Sequence, residues 1–99
     1  MSKYGNKRVV VNGIKFMSKK EAGWYQHLKR LEENGKIRDL VLQPRFKFNC
    51  GITYVADFQF FCVDSGKIRV QDVKGFKTQV YKLKSKMMKN CLAIAIEEI

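Results

Sequence analysis

The chain has 99 residues, enough for one domain, and 45% of them are hydrophobic, enough for a core. Its net charge is +11, from 20 Lys and Arg against 9 Asp and Glu. That surplus exceeds what solubility needs and favours a polyanionic partner, most often nucleic acid. No apolar run approaches the length of a membrane span, and no segment reads as a signal peptide. Cys50, Cys62 and Cys91 are scattered, without the CxxC spacing of a zinc site, and read as reduced thiols.

Residues 1–7 read as a loose basic arm. Residues 8–16, RVVVNGIKF, place Asn-Gly between β-branched runs, a strong hairpin signal. Residues 18–34 predict a helix. Ser18 and Glu21 match a capping box, Trp24, Leu28 and Leu31 recur at helical spacing, and Asn34-Gly35 supplies the stop.

Between residues 36 and 50, IRDLVLQ and RFKFNC read as two short strands parted by Pro44. Residues 52–63 read as one strand, Asp64–Gly66 as a turn, and 67–74 as the returning strand. Residues 78–90 predict a second helix with Val80, Leu83 and Met87 on its apolar face. Cys91 to Ile96 reads as a last strand. The order predicts an α/β or α+β fold with a central mixed sheet, two flanking helices and an N-terminal β-hairpin.

Alternation on the returning strand puts Ile68, Val70, Asp72 and Lys74 on one face. An apolar stripe ending in an acid and a lysine is costly unless the two pair locally or face a site. On the preceding strand Asp57 lies on the more polar face; Tyr54, Ala56, Phe58, Phe60 and Cys62 share the drier one. A two-residue turn at 64–66 puts Asp57 on the face of Asp72 and Lys74, and a three-residue loop sends it to the other. Two adjacent carboxylates suit a hard cation such as Mg²⁺, and a neighbouring lysine suits phosphate chemistry. The alternative is a plain charge cluster at a strand end.

The pattern of Asp57, then Asp72-Val73-Lys74, after a helix bearing Glu21, resembles the PD-(D/E)xK nuclease superfamily. Across residues 14–90, SKKEAGWYQHL, GKIRDLVLQPRF, YVADFQF and VQDVKGF resemble small phage and prophage proteins related to Holliday-junction resolvases and phage endonuclease I. The superfamily's naming proline is absent, since Val55-Ala56 precedes Asp57.

The resemblance implies a restriction-endonuclease-like core and a metal-dependent endonuclease acting on DNA, above all branched or junction DNA, with Mg²⁺ or Mn²⁺. It implies metal ligation by Asp57 and Asp72, catalysis by Lys74, and a contribution from Glu21, which helix capping alone also explains. It implies a phage or prophage protein in the cytoplasm of a bacterial host, and the two-fold character of a junction suits a homodimer. Gln43 reads either as site support or as an ordinary turn amide. Residues 74–89 hold six lysines and no acid. With Lys19 and Lys20, the lysines Lys77, Lys82, Lys84 and Lys86 read as a DNA-contacting surface, against a merely solvated face; Tyr81 stands beside them. His27 is given no role. Two other readings fit the charge: a basic DNA-binding protein on a degenerate nuclease fold, and a phage regulator that binds an acidic protein.

Overall fold

The structure, a computed structural model, describes residues 8–73 and 77–99. Val9–Val11 (β1) and Ile14–Phe16 (β2) form the N-terminal hairpin, closed by Asn12 and Gly13 at φ of 52° and 76°. Two successive positive φ values explain why Asn-Gly stands there. Lys19–Glu33 (α1) follows, with the Ser18 hydroxyl accepting the Glu21 N–H at 3.1 Å. It buries Ala22, Tyr25 and Leu28.

The next strands are Ile37–Leu42 (β3), Arg45–Lys47 (β4), Thr53–Val55 (β5), Phe58–Cys62 (β6) and Lys67–Asp72 (β7). Gln79–Leu92 (α2), capped by Thr78, leads to Ile96–Glu98 (β8). The central sheet has the order β3-β6-β7-β8, with β8 parallel to β7 and the other pairs antiparallel. The fold is therefore mixed α+β, with a mixed sheet, two helices and an N-terminal hairpin, as expected.

The helices cover opposite faces of the sheet. Phe58 and Phe60 join Phe16, Tyr25, Leu28 and Ile37 in the core beneath α1. Val70 joins Phe48, Tyr54, Ala56, Tyr81 and Met88 in the core beneath α2.

Three expectations need correction. The strand expected over 52–63 breaks at Ala56-Asp57. Pro44 on the partner strand has no N–H to give, and Gln43 before it turns left-handed at φ 52°. Second, the apolar face of α2 is Tyr81 and Met88; Val80 and Leu83 are 61% and 57% exposed, and Met87 is half-buried. The expected set does share a face, but at 100° per residue it lies roughly a third of a turn away from the Tyr81–Met88 line. Third, the expected strand at 91–96 gives way to two more helical residues. Ala93, left-handed at φ 57°, closes α2 by donating to the Lys89 carbonyl, and β8 starts at Ile96.

All three cysteines are free thiols. No helix among the described residues is long and apolar enough to cross a membrane.

Candidate active site

The site lies where the strand ribbon changes core. Tyr54 and Ala56 pack under α2, whereas Phe58 and Phe60, on the same alternation, pack under α1. Asp57 occupies the crossover. Breaks of this kind re-aim side chains and gather beside functional sites.

The β6–β7 turn decides whether Asp57 meets Asp72. Cys62 pairs with Lys67, so four residues, Val63–Gly66, form the loop. The register matches that of a two-residue Asp64-Ser65 turn, the alternative that puts both acids on one face. One residue beyond the last pair, Phe58 and Gln71, Asp57 stands across from Asp72. Each carboxylate accepts from the other strand. The Asp57 N–H donates to Asp72 Oδ1 at 2.9 Å, and the Val73 N–H donates to Asp57 Oδ2 at 2.7 Å. Asp72 is fully buried and Asp57 partly exposed. Charged acceptors of backbone N–H groups form strong bonds, which offset part of the cost of bringing two like charges together. Lys74 lies outside the described residues, as does the basic arm of residues 1–7.

Glu21, Gln43 and Asp57 line one open cleft with Ile14, Lys15, Phe16 and Leu42. The α1 cap therefore sends the Glu21 side chain toward Asp57, and one residue serves the helix start through its N–H and the cleft through its carboxylate. Gln43 holds its left-handed conformation while donating its N–H to the Asp57 carbonyl at 3.0 Å. A non-glycine residue in this region is strained, and such strain persists where the surroundings fix it.

Tyr81, from α2, is buried near the same acids. Burial, first, and then the charges of Glu98 and Asp72 raise its phenol above the ordinary tyrosine range. Glu98 follows from the parallel register, which pairs it with Asp72.

A metal would find a two-carboxylate site here. Among the described residues no three His, Cys, Asp or Glu side chains converge into a metal-holding group. Mg²⁺ commonly uses one or two carboxylates with water and substrate phosphate, and the Asp57–Asp72 pair fits that demand. The oxygens outside the two backbone bonds, Asp57 Oδ1 and Asp72 Oδ2, are the ones a cation would use.

The predicted basic residues separate. Lys19 and Lys20 are exposed in the first turn of α1, where the helix dipole disfavours cations. Lys82 and Lys86, with Lys89, are exposed at i, i+4 and i+7 on α2, and Lys84 is half-buried on another side. Lys77 is ion-paired with Glu98 at 3.0 Å. His27 stacks on Trp24, ring centres 4.7 Å apart.

Sequence reading passed over a second network on the α1 side of the sheet. Gln71, 2% exposed, accepts from the Trp24 indole at 2.7 Å and donates to Glu97 at 3.1 Å. Glu97 also takes both arms of the Arg69 guanidinium, at 2.8 and 2.5 Å, and this holds its carboxyl below the ordinary range. The network ties the helix of Glu21 to the strand of Asp72. Only burial of both faces of β7 reveals it, and strand alternation alone predicts one wet face. Lys15 was also passed over, because its place in the cleft depends on how the hairpin docks.

The described fold is an α+β domain with paired carboxylates at a kinked sheet end. The chain belongs to the family described as protein of unknown function (DUF1064), whose pattern matches residues 1–93. No curated protein and no solved structure matches it.

Proposed function

We propose that the protein is a metal-dependent endonuclease that hydrolyses DNA phosphodiester bonds, with branched or junction DNA as the substrate class and a homodimer as the working unit. The observation that carries this reading is the reciprocal clamp of Asp57 and Asp72. It holds two carboxylates together at a sheet crossover, beside a cleft that Glu21 enters, on a chain of charge +11.

Asp57 and Asp72 would hold Mg²⁺ or Mn²⁺. When bound, such an ion activates water and neutralises charge on the phosphate. Glu21, across the cleft from Asp57, orients the attacking water by accepting its proton in a hydrogen bond. Lys74, assigned through the superfamily resemblance, stabilises charge that develops on the phosphate. Tyr81 packs behind the acids and keeps that side of the pair dry. Lys82, Lys86 and Lys89 track the backbone of the bound strand.

A second reading, a basic DNA-binding protein that does not cut, draws on the absence of a three-ligand metal group among the described residues. Incubating the protein with labelled duplex, flap and four-way DNA, with and without Mg²⁺ or Mn²⁺, separates the two. Metal-dependent cleavage, lost in Asp57→Asn and Asp72→Asn, supports the nuclease. Asn keeps an oxygen to accept the backbone N–H, so these variants test the charge and not the fold. Binding without cleavage under every metal condition supports the second reading.

A further inference from the structure

The cleft beside Asp57 is lined by acids and by donors. Glu21 and Asp57 supply the acids. A phosphodiester brought against them meets like charge, and a site of this composition needs a cation on its wall. Lys15 lines the same cleft. Among the described residues it makes no ion pair, whereas Lys29 is bound to Glu32, Arg69 to Glu97 and Lys77 to Glu98.

The backbone under Lys15 is well fixed. Phe16, the next residue, is buried beneath α1, Lys15 pairs with Val10 across the hairpin, and the Asn12-Gly13 turn sets the register. Facing the cleft as well, Gln43 is held in a strained left-handed conformation by its bond to the Asp57 carbonyl. Its amide group adds a neutral donor to the ammonium of Lys15.

We propose that Lys15 is a substrate-binding residue that, with Gln43, takes the non-bridging oxygens of the phosphodiester lying against Asp57. The N-terminal hairpin thereby forms one wall of the DNA site. This rests on the nuclease reading and names its phosphate subsite.

Lys15→Gln and Lys15→Arg test it, with four-way DNA as the probe and a thermal melt to confirm folding. Binding is measured across a salt series without metal, and cleavage with Mg²⁺ or Mn²⁺. Lys15→Gln should lower the slope of log affinity against log salt by about 1, as loss of one phosphate contact does. Its kcat/KM should fall about ten- to hundredfold, the usual worth of a charged hydrogen bond, mainly through KM. Lys15→Arg should restore most of both. An unchanged salt slope and unchanged kcat/KM in Lys15→Gln, while the parent binds and cuts, overturns the Lys15 assignment alone. A shift in melting temperature with unchanged slope also overturns it, since Lys15 would then be a structural counter-ion to the acids. A parent protein that neither binds nor cuts overturns the nuclease reading and this subsite together.

Discussion

Helices α1 and α2 cover opposite faces of one sheet, yet they are held in different ways. Helix α1 has three buried side chains, a half-buried margin of Trp24 and Leu31, and a hydrogen bond from Trp24 to the buried Gln71. Helix α2 has two buried side chains, Tyr81 and Met88, and turns Val80 and Leu83 outward. The two ends of the proposed chemistry divide along this line. The acid that needs a fixed position, Glu21, is carried by the tightly held helix. The lysines that need only track a charged backbone are carried by the other.

The largest expected effect tests whether α1 is more than scaffold. Glu21→Gln keeps a residue suited to that place in a capping box, so folding and DNA binding should persist. Cleavage should fall by about 10²- to 10⁴-fold, the range for a lost general acid or base. A parental rate would reduce α1 to support.

Next comes a pair of leucines. Leu28, 1% exposed, should cost about 2–5 kcal/mol when changed to Ala, read by urea unfolding. Leu83→Ala should stay within about 0.5 kcal/mol, as exposed positions do. A large loss at Leu83 that grows with protein concentration would show that a second copy covers α2 in solution, the arrangement expected of a homodimer.

A smaller effect belongs to Trp24→Phe. The ring remains but the indole donor to Gln71 is lost, and a buried acceptor left short costs about 1–3 kcal/mol. No change in stability would mean that α1 is held by its apolar face alone. Smallest in stability is Lys82→Gln or Lys86→Gln. Each should leave the melting temperature near parental while lowering the salt slope of DNA binding by about 1.

The contrast between the helices also explains what the sequence made legible. Helix α1 announced itself through Ser18, Glu21 and Leu28, because a cap and a periodic face are local signals. On α2 periodicity correctly grouped Val80, Leu83 and Met87 but did not say which side meets the sheet. The bulk of Tyr81, set against Tyr54 with ring centres 6.4 Å apart, decides that. Alternation likewise grouped Tyr54, Ala56, Phe58 and Phe60, yet not their division between two cores, which requires the kink at Gln43-Pro44. The pairing of Asp57 with Asp72 was readable up to one unknown, the parity of the turn at 63–66. Gln71 and Lys15 were out of reach, since both take their surroundings from elements distant in the chain.

The kink itself preserves its count. Leu42 faces Phe58 before it and Arg45 faces Val55 after it, with the Gln43 N–H bonded to the Asp57 carbonyl and the Ala56 N–H bonded to the Pro44 carbonyl between them. The ribbon bends without slipping. Variation in this stretch is therefore constrained in length more than in identity. One residue added or removed between Val41 and Gln59, outside the loop joining β4 to β5, would reverse the side on which Asp57 emerges. Side chains can drift there, but insertions and deletions must come in matched pairs on the two strands or fall within that loop.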